Sequence, residues 1–289
     1  MTADAKRPKG GRMKVSEYIV DFLVKRGIRD VFLIDGSACA GLIVAVAGNK
    51  GMRYICPLHE QAGAFAADGY YKASGRLTAM IATSGPGGIN LLNGISSSFY
   101  DSVPAIYITG QINSRFLKSS PTVRQHGFQE NDIVSMARPV TKYAVMIKRP
   151  EEIRYELEKA FYLATEGRKG PVLIDVPMDV QKAEIAVEGL KGFDAQAAPV
   201  LDLGGVRRKI QGAIELIKSS ERPAMLIGGG VWLAEACEEV RELIMRLRFP
   251  FFVTWNMIDF CGENFPYYGG RVGTFGGNGR NFGIQNCDM

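Results

Sequence analysis

The chain has 289 residues, of which 46% are hydrophobic and 22% charged, proportions typical of a folded globular protein and unlike those of a disordered one. Its length exceeds that at which a single hydrophobic core stops growing, so we expect one full domain and part or all of a second. The formal net charge of +5 comes mostly from basic residues within positions 1–14, which argues against a polyanion-binding surface on the near-neutral remainder.

Residues 1–12 have no hydrophobic period and are predicted to form a basic, disordered tail. A nucleic-acid-binding arm is the alternative, but a solvated tail is favoured, so no nucleic-acid partner is expected. The five cysteines are odd in number and lack a Cys-x-x-Cys pair, so neither a disulfide framework nor a metal site is predicted. Without a signal peptide or a membrane-length apolar stretch, we expect a cytoplasmic protein with no membrane partner.

Strand and helix patterns alternate along the first part of the chain. The helices are predicted at residues 15–26, 60–74, 89–100 and 151–166, and the strands at residues 31–34, 52–56, 78–83, 105–109 and 171–176. The segment 52–56 is expected to be a buried strand. This alternation predicts an α/β fold, an open parallel sheet with helices on both faces.

The pattern weakens before a second unit begins. We predict a first domain over residues 13–182, a linker rich in Ala, Gly and Pro over 183–205, and the start of a central Rossmann-like domain over 206–289. The second domain has a helix from about residue 206, strands at 224–227 and 251–254, and a helix at about 233–247. It is expected to be an incomplete α/β domain.

Two Gly-rich turns follow predicted strands, at residues 83–88 and 227–230. Each stands before a helix, where backbone N–H groups can bind phosphate. Neither turn has the Lys-Ser/Thr of a P-loop or the G-x-G-x-x-G of a dinucleotide site. Taken alone, each turn is better explained as a tight connection than as a nucleotide site.

Glu60 begins the stretch that runs from residue 60 to residue 74, at the predicted carboxyl edge of the sheet. Open parallel sheets bind their ligands at this edge. A carboxylate that stabilises the start of a helix is the simpler alternative. The following residues are mostly Ala and Gly, so this helix can be approached closely by its sheet, by a ligand or by another subunit.

Several motifs occur in a fixed order around Glu60, and together they resemble the pyrimidine-binding domain of thiamine-diphosphate-dependent enzymes. The type that they resemble most is the large subunit of acetolactate synthase. The resemblance covers about residues 15–180, and a looser one to the family's central domain starts near residue 223. The motifs are His59-Glu60-Gln61-Ala62, Ala67-Asp68-Gly69-Tyr70, Ser74-Gly75, Thr83-Ser84-Gly85-Pro86-Gly87 with Asn90, Thr109-Gly110-Gln111, Phe128-Gln129-Glu130 and Gly170-Pro171-Val172-Leu173-Ile174-Asp175-Val176-Pro177.

The resemblance implies a catalytic role for Glu60, which corresponds to the glutamate that hydrogen-bonds the aminopyrimidine of thiamine diphosphate and promotes its activation. The activated cofactor attacks a 2-oxo acid, so a carboligase or decarboxylase is implied. For each further residue a packing or turn role remains equally open. Those implied on the cofactor side are Gly85, Pro86, Gly87, Asn90 and Gln111, and those implied to face the substrate are Gln111, Phe128 and Gln129.

Three positions depart from the family pattern. Asp35-Gly36-Ser37-Ala38 stands where Pro-Gly-Gly-Ala is usual, and it brings an extra carboxylate towards the cofactor or a subunit interface. Asn113 replaces a proline of the acetolactate type, and Val272-Gly273 replaces a His-Gly of its central domain. The last two changes argue against assigning pyruvate specificity or FAD binding from the resemblance.

The family's diphosphate site, a Gly-Asp-Gly followed by Asn that binds through Mg²⁺, does not occur in these 289 residues. We therefore expect the chain alone to be inactive, as a fragment or as one member of a split pair. Its partner would be a second copy, in a dimer or tetramer, or a complementing diphosphate-binding chain. Two other functions stay open: a non-catalytic interaction domain that retains the fold, and nucleotide binding by Gly228–Gly230.

Overall fold

The computed structural model describes residues 11–120, 122–195, 202–274 and 277–289. The chain divides into two units, with the boundary between Ala195 and Gln196, inside the predicted linker 183–205. Of the predicted tail 1–12, residues 1–10 lie outside the described residues, whereas Arg12 belongs to a strand. The predicted domain limits stay predictions.

The first unit contains eight strands and seven α-helices among its described residues. The strands are β1 (Arg12–Lys14), β2 (Asp30–Leu33), β3 (Arg53–Ile55), β4 (Ala79–Ala82), β5 (Ile106–Gln111), β6 (Tyr143–Met146), β7 (Val172–Pro177) and β8 (Glu184–Ala186). The helices are α1 (Val15–Lys25), α2 (Ala40–Gly48), α3 (Glu60–Ser74), α4 (Pro86–Tyr100), α5 (Ile133–Ala137), α6 (Ile153–Thr165) and α7 (Met178–Lys182).

Six of these strands form one parallel sheet in the order β3-β2-β4-β5-β7-β6. Every residue of β2, β4, β5 and β7 is buried, as expected of parallel strands covered on both faces. One hydrophobic cluster joins the sheet to α1, α2 and α6, and another joins it to α3, α4 and α5. The predicted fold class, a parallel α/β sheet flanked by helices, is confirmed.

Several local predictions need correction. β3 is an edge strand with all three residues exposed, not a buried strand. The helix predicted at residues 89–100 begins earlier, at Pro86, because proline's fixed φ suits the first helical position. Two elements were not predicted from sequence: α2 is apolar on every side and so shows no helical period, and β6 is a half-buried edge strand.

The start of the predicted linker is ordered structure. β8 pairs antiparallel with β1, and the side chains of Ile185 and Leu190 are buried in the first unit's core. Alternation of exposed and buried residues over only three positions is too short a pattern to identify a strand from sequence.

Among its described residues, the second unit has a three-stranded parallel sheet in the order β11-β10-β9. Its strands are β9 (Met225–Ile227), β10 (Phe251–Val253) and β11 (Tyr268–Arg271), and its helices are α8 (Leu203–Ser219), α9 (Gly230–Leu233), α10 (Cys237–Leu247) and α11 (Asn278–Gln285). A small core forms around Ile227, Ile244 and Phe251. β11 and α11 lie in the Gly-rich segment that was given no structure from sequence. In the described part of the chain, no helix is both long enough and apolar enough to cross a bilayer.

Small residues allow α3 and α4 to pack at very short range. A Cβ atom added to Gly94 of α4 would lie 2.4 Å from the Cβ of Ala64 and 2.9 Å from its carbonyl carbon. On the other side of α3, a Cβ on Gly63 would lie 2.5 Å from the terminal methyl carbon of Met80 in β4. The Ala and Gly content of α3 therefore has a packing cause, since both α4 and the sheet lie against its backbone.

Replacing Gly94 by alanine should lower the free energy of unfolding by roughly 1–3 kcal/mol, because the new methyl group collides with Ala64. Gly69→Ala is the matched control, since a Cβ there meets no atom of the described residues within 4 Å and alanine is favoured over glycine in a helix by up to about 1 kcal/mol. Urea unfolding followed by circular dichroism measures both. A Gly94→Ala chain as stable as Gly69→Ala would contradict the close helix contact.

Candidate active site

Glu60 and Asn90 meet where α3 and α4 begin. Asn90, in the second turn of α4, donates a hydrogen bond from Nδ2 to Glu60 Oε2 at 2.9 Å. Glu60 is half-buried. The bond joins two residues 30 positions apart, because the starts of both helices lie at the carboxyl edge of the parallel sheet.

The turn before Glu60 is fixed by His59. Its Nδ1 atom accepts a hydrogen bond from the backbone N–H of Gln61 at 3.2 Å, so the imidazole caps the N-terminus of α3. Further along the helix, the Tyr70 hydroxyl donates to Asp30 Oδ2 at 2.5 Å, and Arg53 Nε donates to Asp30 Oδ1 at 2.6 Å. The Tyr70 bond is the main cause that lowers the pKa of Asp30. These contacts hold α3 to β2 and β3.

Glycines leave free space beside the Glu60 carboxyl group. A Cβ on Gly87 would lie 3.3 Å from Glu60 Oε1 and 2.8 Å from Thr83 Cγ2. Gly85 precedes α4 with φ of 63° and ψ of −129°, a conformation that suits glycine and strains other residues. The Gly85-Pro86-Gly87 turn therefore brings backbone, without side-chain bulk, next to Glu60.

The segment 127–132 is attached to this turn. A Cβ on Gly85 would lie 2.8 Å from Gln129 Cβ and 2.9 Å from its carbonyl oxygen. Asn131 Nδ2 donates to the Gly85 carbonyl oxygen at 3.1 Å. Gln129 itself has a φ of 58°, which costs about 1–3 kcal/mol unless its surroundings impose it. The predicted substrate-facing residue Gln129 thus contacts the predicted cofactor-facing Gly85, and Phe128 beside it is 81% exposed.

Gln111 ends β5 and is fully buried. Its Nε2 atom donates to Asp175 Oδ2 and to the Asn131 carbonyl oxygen, both at 3.0 Å, and its Oε1 accepts from the backbone N–H of Ile112 at 3.1 Å. In this structure its polar atoms therefore bind protein groups, and contact with a ligand requires these bonds to open. The implied contact of Gln111 with cofactor or substrate stays a prediction.

Asp175 is a buried ionisable residue to which the sequence analysis gave no role. Its carboxyl group lies in the middle of β7, where Thr109 Oγ1 donates to Oδ1 at 2.7 Å and Gln111 to Oδ2 at 3.0 Å. Burial raises the pKa of Asp175 to about 7, against the lowering effect of both hydrogen bonds, and the charge of Asp132 raises it further. An aspartate inside an otherwise apolar strand was the feature of the sequence that could have identified Asp175 as a buried ionisable group.

Asp35, the unusual carboxylate, is exposed after β2. The next residue, Gly36, packs on Thr83, because a Cβ there would lie 2.4 Å from Thr83 Cβ. Thr83 Oγ1 in turn accepts from the backbone N–H of Ala38 at 3.3 Å. The loop that carries Asp35 therefore borders the turn at Gly85.

Two family models match the chain. The model described as the N-terminal TPP binding domain of thiamine pyrophosphate enzymes matches residues 13–136. The model of the central domain of these enzymes matches residues 210–289. The first match contains Glu60, Gly85, Gly87 and Asn90, the residues whose side chains or backbones meet at the start of α3.

Acetolactate synthase large subunits are among the curated relatives. A probable large subunit from Methanocaldococcus jannaschii is 36% identical over 284 residues, covering 96% of this chain and 46% of that protein. The isozyme 2 large subunit from Escherichia coli K12 is 31% identical over 277 residues, covering 96% and 48%. A chloroplastic acetolactate synthase from Arabidopsis thaliana is 36% identical over 224 residues, covering 75% and 32%. The chain thus spans about half the length, or less, of these relatives.

The Gly85 turn should tolerate no side chain. Gly85→Ala combines an unfavourable φ with a collision against Gln129, so we expect the free energy of unfolding to fall by roughly 2–4 kcal/mol. Gly75→Ala is the control, since Gly75 also has a positive φ, of 67°, but in the described part of the chain no atom lies within 4 Å of its Cβ position. Its loss of stability should be about 1 kcal/mol. Equal losses in urea unfolding would show that the contact with Gln129 does not constrain the turn.

Proposed function

The chain belongs to the thiamine pyrophosphate enzyme family, and we propose that Glu60 is its cofactor-activating glutamate in an acetolactate-synthase-like carboligase or decarboxylase of 2-oxo acids. The observation that carries this proposal is the Glu60–Asn90 hydrogen bond of 2.9 Å beside a turn without side-chain bulk. A glutamate that served only as a helix N-terminal charge would need neither feature.

The residues around Glu60 fit the aminopyrimidine end of thiamine diphosphate. An aminopyrimidine is flat and carries ring nitrogens with an adjacent amino group, so it needs a hydrogen-bonding carboxyl group and a surface that permits close approach. A Cβ on Gly87 would lie 3.3 Å from Glu60 Oε1, and its absence leaves that approach open. Glu60, Gly85, Pro86, Gly87 and Asn90 would hold this end, and the bound cofactor supplies a nucleophilic carbon for addition to the carbonyl group of a 2-oxo acid.

The two carboxylate oxygens of Glu60 have different tasks in this proposal. Oε2 accepts from Asn90 Nδ2, so it fixes the orientation of the carboxyl group. Oε1 lies next to Gly87, and we assign to it the proton shared with the pyrimidine ring. His59 keeps Glu60 in the first turn of α3 by capping that helix. The protein thus contributes orientation and one proton position.

The other end of the cofactor requires residues that these 289 do not include. A diphosphate bound through Mg²⁺ needs the Gly-Asp-Gly and Asn of the family, and no Gly-Asp-Gly occurs here. We propose that a diphosphate-binding domain outside these 289 residues, on another subunit, carries that site. Exposed apolar side chains on the elements around Glu60, namely Tyr54, Leu58, Phe65 and Ile89, support coverage of this region by another subunit.

Glu60→Gln keeps the size of the side chain and removes its ability to hold the proton at Oε1. With a diphosphate-binding chain from a relative present, we expect turnover of a 2-oxo acid to fall by about 100-fold or more. Glu151→Gln is the matched control, since it also removes one negative charge near the start of a helix, at an exposed position of the first unit. Near-normal turnover by Glu60→Gln, with Glu151→Gln also active, would contradict the catalytic role proposed for Glu60.

A non-catalytic interaction domain is the second candidate, and it is favoured by the exposed Asp35 carboxylate, whose loop packs against Thr83. The two candidates differ in cofactor binding. Isothermal titration calorimetry with thiamine diphosphate and Mg²⁺ should give heat when the complementing chain is present, and Gly85→Ala should weaken it. Absence of heat with and without the complementing chain would favour the interaction domain.

A further inference from the structure

The buried carboxyl group of Asp175 has no role in the proposed chemistry, yet it is costly to bury. It lies within β7 with no exposed surface, among strand residues that are otherwise apolar. An uncompensated buried carboxylate is strongly destabilising, so its two donors, Thr109 and Gln111 of the neighbouring strand β5, are required for its burial.

A continuous set of hydrogen bonds leads from Asp175 to the turn beside Glu60. Gln111 Nε2 lies 3.0 Å from Asp175 Oδ2 and 3.0 Å from the Asn131 carbonyl oxygen. Asn131 Nδ2 then donates to the Gly85 carbonyl oxygen at 3.1 Å. The residues that these hydrogen bonds connect lie in four different parts of the chain: β7, β5, the segment before α5, and the turn before α4.

The turn at the end of this set leads into α4, the helix that contacts Glu60. Gly85 is the residue before α4, and Asn90, in the second turn of the same helix, binds the Glu60 carboxylate. Movement of Gly85 would therefore change the direction in which α4 starts, and with it the position of Asn90 relative to Glu60. Asp175 itself has no hydrogen bond to Glu60 or to Asn90 among the described residues.

We propose that Asp175 is a positioning residue for the Glu60 site, which holds Gln111 in place and through Asn131 fixes the turn at Gly85. The inference deepens the proposed function, since this turn is the one assigned to the cofactor. Its test needs no cofactor, because the position of the turn is a property of the chain itself.

The positioning role can be tested by changing the protonation state of Asp175 with pH. Burial raises its pKa to about 7, the donors Thr109 and Gln111 lower it, and Asp132 at the start of α5 is the charged group that acts on it. The carboxylate accepts from both donors, whereas the protonated group has one oxygen that must donate. The Thr109 hydroxyl can accept a hydrogen bond and the amide nitrogen of Gln111 cannot, so the proton lies on Oδ1. Oδ2 then accepts from Gln111 as a neutral oxygen, a weaker acceptor than a carboxylate, and the Gly85 turn should respond near neutral pH.

The experiment follows the backbone amide signals of Gly85 and Gly87 by ¹H–¹⁵N NMR between pH 5.5 and 8.5, on the full 289-residue chain. We expect both signals to shift with a midpoint of about 7, while Gly69, on the exposed side of α3, reports no such transition. In Asp175→Asn the transition should disappear. His59→Gln, measured alongside, should keep it, which excludes the imidazole at the start of α3 as its source.

Two further variants leave Asp175 in place and move the midpoint in opposite directions. Asp132→Asn removes the neighbouring charge while keeping a residue suited to cap α5, so the midpoint should fall. Thr109→Val removes one donor to the carboxylate, so the midpoint should rise. These shifts decide the question even if Asp175→Asn does not fold, and a residue that only stabilised the core would not transmit them to Gly85 and Gly87.

A flat response of Gly85 and Gly87 in the wild-type chain, or an unchanged transition in Asp175→Asn, would overturn the inference. A midpoint indifferent to both Asp132→Asn and Thr109→Val would overturn it as well. The NMR test of Asp175 and the turnover test of Glu60 can fail separately. If the transition is present but Glu60→Gln retains turnover, only the proposed function is contradicted. Loss of turnover in Glu60→Gln with no transition would remove only the role of Asp175.

Discussion

The short distance between α3 and α4 is the constraint on which the candidate site depends. Gly94 lies against Ala64 with no room for a side chain, and Gly63 lies equally close to Met80 of the sheet. Because the two helices approach this closely, residues near their N-terminal ends come within hydrogen-bonding distance, and Asn90 reaches Glu60. Larger residues along the contact would separate the helices and break that bond. The Ala- and Gly-rich composition of α3 is therefore a condition for the geometry of Glu60.

A second constraint comes from polar groups inside the sheet. Thr109, Gln111 and Asp175 are fully buried at the carboxyl-end half of β5 and β7, where an apolar core would be more stable. Buried polar networks of this kind are tolerated when their members are satisfied by one another. Here the network extends through Asn131 to Gly85. Local departures from the most stable packing are typical of functional sites, and this one lies beside the turn next to Glu60.

The parallel sheet was predictable because β2, β4, β5 and β7 are buried along their whole length and appear as short apolar runs between turn residues. The position of Glu60 at the sheet edge followed from the same pattern. The edge strands β3 and β6 were harder, since burial there depends on neighbours that a local pattern does not reveal. α2, apolar on every side, lacks the period by which a helix is recognised.

The roles of individual polar residues were the least predictable part. The resemblance implies that Gln111 faces the cofactor or substrate, which stays a prediction, and its hydrogen bond to Asp175 was not foreseen. That orientation depends on pairing between β5 and β7, which are separated by about 60 residues of chain. The link between Asn131 and Gly85 likewise joins two loops that no short motif connects. Local sequence therefore identified the elements of the site, and long-range pairing determined its hydrogen bonds.

In the function proposed for this chain, the Glu60 carboxyl group activates thiamine diphosphate. The most direct test is the rate of hydrogen–deuterium exchange at C2 of the cofactor's thiazolium ring, measured by quenched-flow NMR with the diphosphate-binding chain present. We expect exchange much faster than in free cofactor for the wild-type chain, and a return towards the free rate in Glu60→Gln with cofactor still bound. Fast exchange that is unchanged by Glu60→Gln would contradict it.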